Sequence, residues 1–123
     1  MRALLIPLGL SAAGAPAQQR VLHFTRTSGY DHQTRGVSFA MFQGIAQELG
    51  ATVDDDQSGD PFSDAAILAA YDVIVFSNTS GNAILNPQQR SNFEDWVAGR
   101  CRVLGIHAAS DTYRHSTANG GGT

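Results

Sequence analysis

With 123 residues, 42% of them hydrophobic, the chain is long enough for one domain and too short for two. Its net charge of −3 and the lack of any lysine among its basic residues argue against nucleic-acid binding, because phosphate recognition needs clustered lysine and arginine. Acidic residues cluster only at residues 54–56, where a solvated strand end is the first interpretation and a cation site the second.

The first residues of the chain have the pattern of an export signal. Arg2 precedes a short apolar run, and residues 15–17 (Ala-Pro-Ala) supply the small-x-small pattern of a signal-peptidase site. The apolar run is too short to be a stable membrane anchor. We therefore expect a signal peptide over residues 1–17, a single domain over residues 18–123, and a periplasmic or extracellular protein. A disordered leader on a cytoplasmic protein is the alternative.

Strand and helix patterns begin to alternate at residue 20. The pattern predicts a strand over residues 20–27, which ends in a polar turn, and then a helix over residues 34–49. Gly50 can take the left-handed conformation that closes this helix, and residues 51–54 form a short second strand. The helix is predicted from apolar residues spaced by four, which are Val37, Met41, Ile45 and Leu49.

Two further helices flank the third predicted strand. Ser63 can cap a short helix over residues 64–70, and the apolar run over residues 73–76 is the third strand. We expect the last helix to end at Gly99 in a second left-handed stop. That helix begins with the capping-box residues Asn86, Pro87 and Gln89.

The fourth strand, over residues 102–107, carries Val103, Leu104 and Ile106 and is predicted to be buried on both faces. Alternating strands and helices with short connections indicate an α/β fold with a parallel sheet covered on both faces. With right-handed crossovers we expect the strand order 2-1-3-4 in a three-layer α/β/α sandwich. A doubly wound sheet normally continues with another helix and strand, so we expect a C-terminally truncated domain.

Polar turns follow the first, third and fourth strands, and in a parallel sheet these turns share one edge. The winding reverses between the first and third strands, where a crevice opens. His107 follows the fourth strand, where an imidazole can be a general base or a metal ligand, and Asp111 can orient it or bind a substrate hydroxyl. We predict both as catalytic. The predicted substrate-binding residues are Thr25, Arg26, Tyr30, His32, Asn78, Thr79 and Ser80.

Each of these assignments has a structural alternative. His107 can be a hydrogen-bonded histidine at the end of a sheet, and His32 can be a solvent-facing residue at the start of a helix. Residues 78–80 can form a plain turn. The better interpretation of His115 is a solvated loop residue, and that of His23, which lies inside a strand, is a structural role.

Metal and nucleotide cofactors have little support in the sequence. No histidine pair has the spacing of a zinc site, and a site built from His32 and His107 would need a third ligand, so a divalent metal such as zinc stays an open alternative. No G-x-G-x-x-G motif follows the first strand, so no nucleotide cofactor is expected. Cys101 lies at the opposite end of its strand from the crevice, which favours a buried structural thiol over the nucleophile of a cysteine hydrolase.

Four blocks of the sequence resemble the trehalose-utilisation family, the ThuA-like domains. They occur in the family's order and read FTRTSGYDH at 24–32, VFSNTSG at 75–81, LNPQQ at 85–89 and GIHAASDT at 105–112. The resemblance covers nearly everything after the leader. It implies a flavodoxin-like sandwich similar to the class I glutamine amidotransferases.

The resemblance also implies a role in carbohydrate metabolism, with trehalose, a related disaccharide or an oxidised sugar derivative as substrate. His107 stands where the amidotransferases have their nucleophilic cysteine, so glutamine-dependent amide transfer is not expected. We expect a sugar-processing enzyme whose partner is a small-molecule sugar, with no nucleic acid and no stable membrane anchor. A non-catalytic carbohydrate-binding module on the same scaffold is the alternative, and the oligomeric state is left open.

Overall fold

A computed structural model of the protein describes residues 17–100 and 102–113; the predicted leader, Cys101 and His115 lie outside this described part. The strands form one sheet in the order β2-β1-β3-β4, and every neighbouring pair is parallel. The predicted α/β fold and strand order are therefore confirmed. The strands are β1 (Arg20–Phe24), β2 (Thr52–Asp56), β3 (Val73–Ser77) and β4 (Val103–Ile106).

Helices cover both faces of the sheet. α1 (Arg35–Leu49) lies on one face, and α2 (Ala65–Leu68) and α3 (Pro87–Arg100) lie on the other. Two short 3₁₀ helices, Asp60–Ser63 and His107–Asp111, lie in the connections. None of the helices in the described ranges has the length and apolar character needed to cross a membrane.

The main hydrophobic core lies between the sheet and the layer of α2 and α3. Strand alternation turns Leu22 and Phe24 toward this core and turns His23 toward α1. The Phe24 ring lies 4.7 Å from that of Phe62 and 5.4 Å from that of Phe76, measured between centroids. Full burial of each such ring stabilises the fold by roughly 1.5–3 kcal/mol. The remaining core residues are Leu68, Tyr71, Ile74, Ile84, Leu85 and Trp96.

Both predicted boundaries of α2 and the predicted end of α3 are wrong, and α2 ends at Leu68 instead of at residue 70. α2 is capped by Asp64, whose Oδ1 accepts from the Ala66 amide at 2.8 Å, and the predicted cap Ser63 belongs to the preceding 3₁₀ helix. α3 continues through Gly99 to Arg100, and Gly99 does not adopt a left-handed conformation. A cation in the last turn of a helix is favoured by the helix dipole, which helps the extra residue to stay helical.

β4 is not buried on both faces as predicted. Val103 is 44% exposed and Leu104 is 45% exposed. In the described sheet β4 is the outermost strand and pairs with β3 alone. Apolar, β-branched composition predicts a strand correctly here, but the position of the strand in the sheet determines how much of it is buried.

The apolar residues whose spacing predicts α1 do not lie on its buried side. The helix instead buries Ser38 and packs Phe39 and Phe42 against the ring of His23. Gly50 ends the helix in the predicted left-handed conformation, with φ at 67°. The residues with the four-residue spacing are between 43% and 79% exposed, and they are Val37, Met41, Ile45 and Leu49.

The three aspartates at 54–56 are separated by strand alternation. β2 extends two residues beyond its predicted end, so consecutive carboxylates point to opposite faces of the sheet. Asp54 accepts from the Tyr71 hydroxyl at 2.9 Å, and Asp55 lies 2.9 Å from His23 Nδ1. Asp56 accepts from backbone amides of the following turn. Each carboxylate therefore has separate protein partners, as expected for a strand end.

α3 begins with the predicted capping box. The Gln89 amide donates to Asn86 Oδ1 at 2.8 Å, and the Asn86 amide donates to Gln89 Oε1 at 2.9 Å. Gln89 Nε2 also donates to the Gly59 carbonyl and to Ser63 Oγ, each at 2.9 Å. Gln89 is only 4% exposed, so it ties the start of α3 to the preceding 3₁₀ helix.

Replacing Gln89 with alanine should lower the free energy of unfolding by about 2 kcal/mol, because the variant loses half of the capping box and leaves buried partners unpaired. Urea denaturation measures this change. Gln88→Ala is the matched control, since Gln88 is exposed and its side chain bonds to Asn92 on the same helix. The control should stay within about 0.5 kcal/mol of the wild type. Equal losses in the two variants would contradict the structural role of Gln89.

Burial and the hydrogen bond to Asp54 raise the pKa of Tyr71 to about 12. Because this pKa lies above the unfolded value of about 10, the associated stability is complete below pH ~10 and is lost as the pH rises toward 12. Titration of tyrosinate absorbance should show one tyrosine that ionises late. Asp54→Asn should lower that midpoint, whereas Tyr30→Phe, at a 73% exposed position, should not. A late step that survives Tyr71→Phe would refute the assignment.

Candidate functional site

The turns after β1 and β3 are bonded to each other at the carboxyl edge of the sheet. The amides of Ser28 and Gly29 both donate to the Ser80 carbonyl, at 2.9 and 3.1 Å. A Cβ atom on Gly29 would lie 2.6 Å from Ser80 Oγ, and one on Gly81 would lie 2.6 Å from the Gly29 amide. Both positions therefore require glycine. This contact fixes the edge between β1 and β3, where the crevice is predicted.

Two imidazoles from distant parts of the chain meet at this edge. The rings of His32 and His107 lie 4.6 Å apart between centroids, at an interplanar angle of 82°. The ring of Tyr30 packs on His32 at 4.9 Å, and Tyr30 itself is 73% exposed. The structure thus brings together three of the residues predicted for the site, from the turns after β1 and β4.

Asn78 fixes the orientation of His107. Its Oδ1 lies 2.9 Å from His107 Nδ1, and its Nδ2 donates to Thr34 Oγ1 at 2.7 Å. Because Oδ1 is an acceptor, the neutral ring of His107 carries its proton on Nδ1 and keeps a lone pair on Nε2. An imidazole in this tautomer can accept a proton, or ligate a metal, through Nε2.

Left-handed backbone conformations occur at the same edge. The φ angle is 55° at Asn78 and 50° at His107, and Gln33 and Tyr113 have similar values of 53° and 56°. For residues other than glycine this conformation costs about 1–2 kcal/mol. Such strained residues concentrate at binding and catalytic sites, where the surrounding contacts hold them in place.

Two cavities adjoin the Asn78–His107 pair. The larger, which we call the apolar cavity, has a volume of about 560 Å³ and is lined by Phe76, Phe93 and Tyr113 together with His107. The smaller, the polar cavity, has a volume of about 150 Å³ and lies where the winding of the sheet reverses. The polar cavity is lined by Thr25, Asp31, Gln33, Thr34, Arg35, Gln57, Ser77 and Asn78.

Thr79 and Ser80 lie within the protein rather than on either cavity. Thr79 is fully buried, and its Oγ1 lies 2.8 Å from Thr112 Oγ1. Ser80 is 1% exposed, and its Oγ lies 2.8 Å from Thr27 Oγ1. In this conformation the two hydroxyls hold the turns together, and their role in substrate binding stays a prediction.

The other predicted site residues are spread around the edge. Thr25 lines the polar cavity although it is only 7% exposed. Arg26 donates through Nη1 to the Ser58 carbonyl at 2.8 Å, beyond the end of β2. Asp111 is exposed at the end of the His107–Asp111 helix, and the contact on His107 Nδ1 comes from Asn78.

Thr34 and Ser77 are among the polar residues of this edge that sequence reasoning missed, together with Asp31, Gln33, Arg35 and Gln57. Thr34 is predicted only as a helix start, yet its hydroxyl accepts from Asn78. Ser77 is the first polar residue after the apolar run of β3 and directly precedes Asn78. Its place at the carboxyl end of a central strand was the signal that could have identified it.

A metal centre is not assembled in the described part of the chain. Within residues 17–100 and 102–113, no group of three or more His, Cys, Asp or Glu side chains could hold a metal ion. His32 and His107 would together supply two ligands, fewer than a zinc site takes from a protein. The zinc alternative therefore still needs a further ligand.

A model of the trehalose utilisation family (ThuA) matches residues 20–121 of the chain. The matched range contains all four described strands and the whole Asn78–His107 edge. No curated protein and no solved structure matches the chain.

Asn78→Ala should change the tautomer of His107, because it removes the acceptor that holds the proton on Nδ1. Nitrogen NMR of the imidazoles, recorded where the rings are neutral, should show a protonated Nδ1 in the wild type and mainly a protonated Nε2 in the variant. The matched control Asn82→Ala changes an exposed residue of the adjoining loop and should keep the wild-type pattern. An unchanged His107 tautomer in Asn78→Ala would disprove the orienting role.

Proposed function

This chain belongs to the trehalose utilisation (ThuA) family, and we propose that it processes trehalose, a related disaccharide or an oxidised sugar derivative at the carboxyl edge of its sheet. The observation that carries the proposal is the Asn78–His107 pair, which presents a lone pair on Nε2 beside a cavity at this edge. The predicted leader would place this activity in the periplasm or outside the cell. The partner in this proposal is a small-molecule sugar.

The apolar cavity suits a sugar ring in size and lining. Its volume of about 560 Å³ falls within the ~300–1,000 Å³ typical of small-molecule sites. The rings of Phe76 and Phe93 offer flat apolar surfaces for the C–H face of a sugar. Arg90 and Glu94 also line the cavity and supply groups that can bind hydroxyls.

In the proposed reaction His107 is the general base. Nε2 takes a proton from a bound hydroxyl or from water, and the resulting imidazolium donates from Nδ1 to the Asn78 carbonyl oxygen. Thr34 keeps the Asn78 amide in the orientation that this hydrogen bond needs. His32 packs edge-on against the ring of His107 and limits its rotation.

A non-catalytic sugar-binding module is the second candidate function. The observation that favours it is the partner of His107 Nδ1, which is the neutral amide of Asn78 and not a carboxylate. A neutral partner orients the ring but supplies less stabilisation to an imidazolium than a carboxylate would. The edge could therefore bind hydroxyls without removing protons from them.

Replacing His107 with asparagine separates the two candidates. Asparagine tolerates the left-handed conformation at this position, so the fold should be retained. We expect turnover of trehalose or its oxidised derivative to fall by roughly 100-fold or more, since a general base contributes about 10²–10⁴. Mass spectrometry follows product formation. Calorimetry measures the affinity for the sugar, which should change only a few-fold. Gln88→Asn on the exposed surface of α3 is the control and should keep full turnover.

Each result of this experiment has a distinct meaning. Unchanged turnover in His107→Asn would remove His107 from the chemistry. Sugar binding without turnover in the wild type would favour the binding module. A wild-type protein that binds none of these sugars would overturn the carbohydrate proposal itself.

A further inference from the structure

Four polar side chains form a continuous buried hydrogen-bond chain between β2 and the polar cavity. Asp55 Oδ1 lies 2.9 Å from His23 Nδ1, His23 Nε2 bonds to Ser38 Oγ, and Ser38 Oγ lies 2.7 Å from Ser77 Oγ. His23, Ser38 and Ser77 are 0%, 9% and 2% exposed. Ser77 lines the polar cavity, so one end of the chain reaches a space that a ligand can enter.

The fold holds this hydrogen-bond chain in a single arrangement. The parallel register places His23 opposite Asp55, and Phe39 and Phe42 pack on the imidazole at centroid distances of 5.7 and 5.5 Å. The neighbouring residue on β3 is the apolar Val75. Buried polar groups are expensive unless fully paired, and apolar residues often pack at least as well in their place. The stability of the fold alone therefore does not explain why polar residues occupy these positions.

We propose that Asp55, His23 and Ser38 form a proton relay that makes Ser77 the acceptor for a hydroxyl of a small neutral polyol or sugar ring in the polar cavity. With a neutral imidazole, His23 Nδ1–H donates to Asp55 and Nε2 accepts from the Ser38 hydroxyl. Ser38 Oγ then accepts from the Ser77 hydroxyl. Ser77 Oγ consequently turns its remaining lone pairs toward the cavity.

A proton that leaves the ligand is transferred stepwise along the relay. Ser77 Oγ receives the ligand's hydroxyl proton and passes its own proton to Ser38 Oγ. Ser38 passes its own proton to His23 Nε2, which creates an imidazolium paired with the Asp55 carboxylate. The ligand oxygen carries the matching negative charge, and the proton returns by the same route.

The charges around the relay favour a neutral ligand. The charged group that bonds to His23 is Asp55 from β2, and Asp55 also pairs with Arg35 Nη2 of α1 at 2.8 Å. Arg35 and Asp31 both line the cavity and contribute one charge of each sign. The polar cavity has a volume of about 150 Å³, which is below the ~300 Å³ of drug-sized sites, so it suits a small polyol or one sugar ring.

This site goes beyond the proposed function, because it uses a hydroxyl relay in the polar cavity and not the imidazole of His107. His23 is fully buried and does not line the cavity, so a ligand reaches it either through Ser77 and Ser38 or through Arg35 and Asp55, and removal of the Ser38 hydroxyl interrupts the first route alone. Its ring is therefore a remote reporter of hydrogen bonding at Ser77, independent of any turnover.

The test is NMR of the full chain, with glycerol and trehalose as separate probes. A bound probe should shift the Ser77 amide and, through the relay, the ring nitrogens of His23. In Ser38→Ala the Ser77 amide should still respond, while the His23 response falls by roughly fivefold or more. Ser38→Thr restores the hydroxyl and should restore the response. Ser91→Ala, at an exposed position of α3, is the matched control and should behave as the wild type.

The outcomes separate the relay from simple packing. A response to glycerol alone identifies a free polyol as the ligand, and a response to both probes identifies the end ring of a sugar. The proposal fails if neither probe shifts Ser77, if His23 stays unchanged while Ser77 moves, or if Ser38→Ala keeps the full His23 response. Should Ser38→Ala not fold, Ser77→Ala replaces it. This variant keeps Ser38 on His23, should abolish the His23 response, and overturns the proposal if the response persists.

Discussion

The backbone hydrogen bonds from Ser28 and Gly29 to Ser80 are the constraint on which the carboxyl edge of the sheet depends. β1 and β3 are neighbours in the sheet, although α1, β2, the Asp60–Ser63 helix and α2 lie between them in the chain. Where the winding reverses, no crossover helix bridges the two strands, so their following turns must hold each other. Glycine at 29 and 81 allows the two backbones to touch. That contact joins the turns after β1 and β3, which carry Asp31, Gln33 and Asn78 of the polar cavity.

The two faces of the sheet bury different kinds of side chain. The face toward α2 and α3 buries a cluster of aromatic and aliphatic side chains that includes Phe24, Phe62 and Trp96, and supplies most of the hydrophobic stabilisation. The face toward α1 buries His23 and Ser38 instead, at a position where apolar residues would be expected. The main hydrophobic core therefore lies on one face of the strands, and the buried hydrogen bonds of His23 and Ser38 lie on the other.

Strand order could be predicted from sequence, because it follows from the alternation of elements and from crossover handedness, and the same order indicates which edge carries the candidate site. The capping box of Asn86 and Gln89 could also be predicted from sequence, since it depends on residues three positions apart. Burial of Val103 was predicted wrongly from the apolar composition of β4, although the predicted strand order 2-1-3-4 already placed this strand at one edge of the sheet. The pairing of His23 with Asp55 depends on the register of β1 against β2, which no local pattern specifies.

Ser77 and Asn78 link the two cavities because they are consecutive residues at the end of β3. Ser77 still follows strand alternation and points to the α1 face, where it meets Ser38. At Asn78 the backbone turns left-handed, and the side chain reaches His107 and Thr34 instead. One peptide unit thus separates a hydroxyl at the end of a buried relay from an amide that orients an imidazole. Asn78 therefore contributes to both cavities, because it lines the polar cavity and bonds to His107, which lines the apolar cavity.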